Sequence, residues 1–274
     1  MSFMEFVAFD LETTGLYPIR DRIIEIGAVR FRDDKVLGKF ETFVNPGMPI
    51  PPELTAKVHG ISDEMVANAP AERDAVEEFL KFIANTPLIA HNITFDIGFV
   101  SAVVCQHKMK TPKNILIDSC ELARNHIKGV ENHKLTTLAE YLQIKEPTAH
   151  RAMADSLVVM KLFRACLKQM PPDITPEGIA QHIGQLISFG DYIFGDVELF
   201  PEQRVLQEAV KGNLDVEIEY RNNNGDLSRR WLSPYTLFTF KGRPYLVAYC
   251  HQSAEMRQFR IDRIVNIYDK RPTR

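Results

Sequence analysis

Apolar and polar positions follow two regimes along this chain, and the change falls near residue 171. MEFVAFDLE (4–12) is apolar and extended until acids appear at its end, which predicts a buried strand. RIIEIGAVRF (22–31), rich in Ile and Val, predicts a second strand, and KVLGKFETFV (35–44) a third. Turn-forming TTGLYPIRD and RDDK join them. DAVEEFLKFIAN (74–85) sets Val76, Phe79, Leu80 and Ile83 at helical spacing. Beyond it, PLIAHN (87–92) predicts a short strand, TFDIGFVSAVVCQH (94–107) a helix and NILIDS (114–119) another strand. KLTTLAEYLQI (134–144) and RAMADSLVVMKLFRACLKQM (151–170) predict two further helices. Three neighbouring strands followed by alternating helix and strand predict an α/β sandwich on a mixed sheet.

PPDITPE (171–177), proline-rich and polar, breaks this pattern and predicts a linker over 171–195. Within it, 175–187 predicts a short helix with Thr175 as N-cap and Pro176 in the first turn. FPEQRVLQEAVKG (200–212) predicts a helix ended by Gly212. LDVEIEY (214–220) then alternates as a half-buried strand does, and NNNGD (222–226) is a hairpin turn. RRWLSPYTLFTF, RPYLVAYC and RQFRIDRIVNIY continue as short strands. Residues 196–274 thus read as a small β-barrel or strongly bent sheet behind one helix, and 1–170 as a separate domain. A length of 274 residues suits two domains.

Composition narrows the class. Hydrophobic residues at 45% and charged residues at 25% are values of a soluble globular chain and exclude a disordered or fibrous one. No apolar run approaches membrane-spanning length, and the N-terminus lacks a secretory pattern. Cys105, Cys120, Cys166 and Cys250 lie far apart with no CxxC pair, so they read as thiols of a reducing cytoplasm. The net charge of −3 hides an asymmetry. Residues 221–274 hold 11 Lys and Arg against 4 Asp and Glu, whereas 1–220 hold 22 against 32. The acidic part must tolerate its own repulsion or bind cations; the basic part suits an anionic partner or a solvated face.

The acids carry the chemistry. Asp10 and Glu12, two apart on a strand, project to one face. Thr13, Thr14 and Gly15 follow as a tight turn, Asp96 opens the helix after PLIAHN, and Asp155 lies five residues after His150. Taken singly, each acid reads as a solvated turn residue or a cap, and His150 as a surface-loop histidine. If the four acids converge, their repulsion calls for divalent metal, and oxygen-only ligands select hard ions such as Mg²⁺ or Mn²⁺.

Three stretches, FDLETTGL (9–16), AHNITFDIGF (90–99) and HRAMAD (150–155), resemble in order and spacing the motifs of the DEDDh exonucleases, the DnaQ-like family that includes the proofreading subunit of bacterial DNA polymerase III. VHGIS (58–62) and KLTTLAEYL (134–142) add to the likeness. The resemblance implies an RNase H-like fold and 3′→5′ removal of nucleoside monophosphates from single-stranded DNA or RNA. It implies Asp10, Glu12, Asp96 and Asp155 as ligands of two Mg²⁺ or Mn²⁺ ions, with His150 as the general base. Thr13, Gly15 and Leu16 would line the pocket of the terminal nucleotide, Leu16 wedging against its base. His59, His91, Asn92 and Phe95 are weaker candidates for substrate contact. His91 is equally a structural histidine, and Phe95 with Phe99 reads more readily as core. Replication or repair proteins are the partners such a family suggests.

Residues 229–264, through the RWLSP, PYLVAY and RQFRIDRI stretches, resemble the WYL domain, with Pro244 where that family usually has Trp. This implies an SH3- or Sm-like β-barrel and a nucleic-acid site. Arg230, Arg257, Arg260 and Arg263 offer guanidinium forks, and Tyr245 a stacking face. Arg257 and Arg260, three apart on a strand, should face opposite sides. Two readings stay open: an exonuclease whose C-terminal module grips or senses nucleic acid, and a regulator whose exonuclease-like part mainly binds. A phosphodiesterase of small oligonucleotides is a close neighbour of the first.

Overall fold

The apolar runs of the first part assemble one mixed sheet. Its strands are β1 (Phe6–Thr13), β2 (Ile23–Arg32), β3 (Lys35–Phe43), β4 (Leu88–Ala90), β5 (Ile115–Asp118) and β6 (Ile187–Ser188), in the order β3-β2-β1-β4-β5-β6. β1 pairs antiparallel with β2 and parallel with β4. The computed structural model describes residues 4–145, 150–184, 187–194 and 197–272. They fall into two compact units, Met1–Gly190 and Asp191–Arg274. The helices of the first are α1 (Pro52–Leu54), α2 (Asp63–Val66), α3 (Glu72–Ile83), α4 (Ile93–Gln106), α5 (Ser119–His126), α6 (Leu135–Tyr141), α7 (Ala152–Leu167) and α8 (Pro176–His182).

Both faces of the sheet are covered. The two-residue period of β1 sends Phe6 and Ala8 into one core with Val159 and Phe163 of α7, the Phe6 and Phe163 rings 4.9 Å apart. Phe9 points the other way, its ring 5.4 Å from Phe79 of α3. The same period carries Asp10 and Glu12 onto the α7 face. On α7, Asp155, Val159 and Phe163 recur every four residues and so form one stripe. Helix and strand thus match apolar against apolar at one end and acid against acid at the other. Gly27 of β2 allows the close approach: a Cβ there would come within 2.2 Å of the Ala152 and Met153 backbone.

The stretch read as a linker, 171–195, is divided between the units. Thr175 caps α8 by accepting from the Gly178 amide at 3.1 Å. Ile179 and Ile183 enter the core of the first unit, and β6 pairs with β5. The helix expected to 187 ends at His182; residues 185 and 186, like 195 and 196, lie outside the described residues.

In the second unit, β7 (Tyr192–Phe194) pairs with β9 (Leu227–Phe240), which with β8 (Leu214–Arg221), β10 (Arg243–Cys250), β11 (Glu255–Arg260) and β12 (Ile264–Pro272) makes an antiparallel sheet ordered β11-β10-β9-β8-β12. Asn222 nucleates the β8–β9 turn, its side chain accepting from the Asn224 and Asp226 amides at 2.9 Å. A closed barrel, one of the two expected forms, is not what forms. After Arg260 the turn Ile261–Arg263 leads the chain to the far edge, where β12 pairs with β8. β11 and β12 remain the edges of an open sheet. Helix α9 (Arg204–Gly212) packs Leu206 and Ala209 into its apolar face. Among the described residues no helix is long and apolar enough to cross a membrane. No disulfide joins the four cysteines, all of which are described.

The Gly27 contact gives a direct test. G27A is expected to cost about 3 kcal/mol in urea denaturation, as an overpacked core position does. G38A, where the nearest atom to a new Cβ is a Phe82 ring carbon at 3.5 Å, is expected to shift stability by no more than about 0.5 kcal/mol. Equal stabilities for the two variants would contradict the packing described.

Candidate active site

The carboxyl ends of β1 and β4 converge with the first turns of α4 and α7. Asp10, Glu12 and Asp155 each bring a carboxylate oxygen within 4.8 Å of the others. Asp96, in the first turn of α4, is buried beside them, and its Oδ1 accepts from the Leu11 amide at 3.1 Å. That bond ties the acid to the peptide between Asp10 and Glu12. The sharp strand-to-helix corner that delivers it is Asn92, at φ 61°, a left-handed conformation asparagine tolerates well.

Crowding and burial work against ionisation here. Burial raises the Asp10 carboxyl well above its usual range, and the charges of Asp96, Asp155, Glu12 and Glu25 add to the effect. Glu12 is pushed up to about 8 by burial and by the charges of Asp155 and Glu25, against the pull of Arg151. Burial also raises Asp96, although the Leu11 amide holds it down. Asp155 is raised by burial and lowered by the His150 charge and backbone amide. A set of anionic oxygens at this spacing fits a hard divalent cation, whose charge reverses each of these penalties.

One acid escaped the reading of the sequence. Glu25 of β2 stands opposite Glu12 in the β1–β2 register and is only 1% exposed. Arg151 closes on it from the start of α7, with Nε 3.1 Å from both carboxylate oxygens and Nη2 2.6 Å from Oε1. The Ala152 amide donates to its Oε2 at 2.9 Å, so Glu25 also caps α7. The guanidinium lies over the Phe43 ring, 5.1 Å from its centroid. The available signal was a lone acid inside the apolar run IIEIGAV. His150, one residue earlier, is exposed and adopts φ 60°.

The turn after β1 is built around Asp21. Its Oδ2 accepts from the Tyr17 amide at 2.8 Å, and a Cβ on Gly15 would collide with its carboxylate. Thr13 Oγ1 donates to the Gly15 carbonyl at 2.6 Å, and Thr14 Oγ1 accepts from the Arg22 amide at 2.9 Å. Leu16 is thereby thrust outward at 67% exposure. His59 is buried, with Nδ1 accepting from the Ile61 amide and Nε2 without a partner among the described residues. Glu25 and His150 are its charged neighbours, which places the ring at the margin of the acid cluster. His91 uses both ring nitrogens on the fold, with Ser119 Oγ at 3.0 Å and the His133 carbonyl at 2.8 Å. Phe95 is half-buried with its ring 5.1 Å from that of the core residue Phe99.

The second unit separates its candidates. Ala248 pairs with Arg257 and Ile218 with Arg230, so both arginines stand on the apolar face of the sheet. Tyr245 pairs with Arg260 on the opposite face, so Arg257 and Arg260 do point apart. Arg260 is held by Asp262 at 3.0 and 2.5 Å, and Arg263 donates to Asn223. The Tyr245 ring stacks on Phe238 at 5.1 Å in a row that continues to Phe194 and Tyr192.

Comparison with known proteins agrees with this geometry. The exonuclease family model matches residues 7–163, and the WYL domain model residues 202–268. A PolC-type DNA polymerase III of Caldanaerobacter subterraneus subsp. tengcongensis is 40% identical over 166 residues, which are 61% of this chain. The chain spans 12% of that relative's length. The DNA polymerase III subunit epsilon of Treponema pallidum is 38% identical over 160 residues, covering 58% of this chain and 74% of the subunit. Among solved structures, exonuclease X in complex with 5′ overhanging duplex DNA shares the fold at TM-score 0.51 and 24% identity, over 66% of this chain and 99% of that one. Exonuclease I does so at TM-score 0.58 and 14% identity, over 97% and 64%. Matched over more than half its length by one family, across the strands and helices that gather its acids, the chain belongs to the exonuclease family and carries a WYL domain.

Proposed function

We propose that the protein is a metal-dependent 3′→5′ exonuclease that releases nucleoside monophosphates from single-stranded nucleic acid, DNA in preference to RNA. The observation that carries this reading is the convergence of Asp10, Glu12 and Asp155 within 4.8 Å, beside buried Asp96. A binding module has no use for acids held at such electrostatic cost. Those four residues would hold two divalent ions, Mg²⁺ or Mn²⁺, which when bound would supply Lewis acidity toward the scissile phosphate and acidify the attacking water. His150, exposed beside the cluster, takes the proton from that water on an imidazole nitrogen. Leu16 wedges against the terminal base over the turn that Thr13 and Gly15 shape. His59, with a buried and unpartnered Nε2, is the better substrate contact of the two family-like histidines, because His91 has no ring nitrogen to spare.

Catalysis belongs in this reading to residues 1–170, and nucleic-acid binding by the C-terminal module to 196–274. The basic balance of that module supports contact with phosphate. Of its candidates, Arg230 and Arg257 are the stronger, since they share one face of the sheet, where Arg230 meets neutral Ser228 and Cys250 and Arg257 meets Glu255 at 3.6 Å, whereas Asp262 grips Arg260 at 3.0 and 2.5 Å and Arg263 donates to Asn223. Association with replication or repair proteins follows the relatives and belongs to the same proposal.

Two experiments check the halves separately. Labelled at the 5′ end, single-stranded DNA and RNA oligonucleotides are expected to yield ladders shortening from the 3′ end with Mg²⁺ or Mn²⁺. EDTA or D10A is expected to abolish the ladder, and H150A to lower the rate on the order of 10³-fold. Folded, nucleic-acid-binding protein that cleaves neither strand would overturn the enzymatic reading. For the C-terminal module, R230A/R257A is expected to reduce the salt slope of single-strand binding by about 2, measured in EDTA, whereas R260A leaves it unchanged. Equal slopes for all three proteins would remove these arginines from the interface.

A further inference from the structure

We propose that Glu25 and Arg151 form a positioning pair that sets His150 for proton transfer, acting on the reaction through His150 rather than on substrate or cation. The inference rests on the reading of His150 as general base. Its first support is connectivity. His150 is exposed and joined by one peptide bond to Arg151, whose guanidinium grips both oxygens of a carboxylate that is 1% exposed. The next amide along the chain, that of Ala152, is tied to the same carboxylate at 2.9 Å. Side chain and backbone are therefore both fixed immediately after the histidine.

The second support is conformational. His150 adopts φ 60°, which a residue with a Cβ keeps only where its surroundings impose it. An anchored Arg151, gripping Glu25 and resting on the Phe43 ring, is such a constraint. The third support is that Asp155 does not depend on this anchor alone. It lies four residues further along α7, a helix seated on Gly27 and on the Phe6–Phe163 core. The His150 amide also reaches the Asp155 carboxylate, so Mn²⁺ affinity is the readout that separates a fault confined to the histidine from one that spreads to a cation ligand. A phosphate contact, the competing use for Arg151, predicts a different pattern of losses.

The test removes the pair without altering the net charge of the site. E25Q/R151M is made in the natural chain and in H150A, and each protein is assayed on a single-stranded oligonucleotide. E25Q/R151M is expected to lose on the order of 10²-fold in kcat, the scale of a misplaced catalytic group. KM and Mn²⁺ affinity are expected to stay within about twofold, and no further loss is expected on the H150A background. A comparable loss on top of H150A, a loss that appears in KM or Mn²⁺ affinity, or an unchanged kcat would overturn the proposal. H150A with undiminished kcat would instead remove the base reading itself, an outcome distinct from the others. Should E25Q/R151M fail to fold, R151K takes its place in the same cycle. An ammonium keeps the charge but not the two-pronged, ring-stacked geometry, so the same loss in kcat is expected, and none on H150A.

Discussion

The unfavourable crowding of carboxylates at the end of β1 is the constraint on which the rest of the first unit depends. A strand that begins Phe6-Val7-Ala8-Phe9 must be buried, and its continuation brings half-buried Asp10 and buried Glu12 under α7, where solvent can do little to screen them. Asp96 and Asp155 add to the burden, and Glu25 stands directly across from Glu12. The chain itself supplies part of the compensation: the Leu11 amide on Asp96, the Arg151 fork and the Ala152 amide on Glu25, and the His150 amide on Asp155. The remaining charge is left for a cation. A site that is costly without its ion and favourable with it is pre-organised for metal, since the electrostatic work is done at folding and not at the moment of reaction.

Much of this was legible in the sequence, because period-two and period-four spacing fix faces before any contact is known. The residues of β1, α4 and α7 that meet at the site were all named from such spacing and from the three ordered motifs. What stayed hidden depends on register between segments distant in sequence. Glu25 reads as one acid in an apolar strand until its pairing with Glu12 and its closure by Arg151, 126 residues away, are seen. His91 sits in a family-like stretch, yet only the fold reveals that Ser119 and the His133 carbonyl occupy its ring. Helix α5 was missed because Asp118, which caps it through the Cys120 and Glu121 amides, also ends a strand with no loop between them.

The second unit illustrates the limit from the other side. Alternation and the Asn-rich turn identified its strands, and the spacing of Arg257 and Arg260 identified their opposed faces. Closure could not be read, because it depends on which edge the last strand joins. The turn at Ile261–Arg263 decides that by taking β12 to β8. The same topology sorts the basic residues, putting Arg230 and Arg257 on the apolar face and Arg260 on the other.

Thermal unfolding against pH, with and without saturating Mn²⁺, tests most directly whether the acid cluster is built for a cation. Glu12 is raised from 4.5 to about 8, and Asp10 and Asp96 are raised as well, so the metal-free folded state holds protons that the unfolded chain has released. Its stability therefore falls as pH rises from about 4.5 to about 8. His91 and His126, held below their usual range by burial and with no acid of the cluster acting on them, oppose this trend equally in both series and cancel in the difference. The account predicts that Mn²⁺ raises the melting temperature, that the gap between the series widens with pH across that window, and that D10N/E12Q closes it. Parallel curves, with a gap independent of pH or none at all, would contradict it.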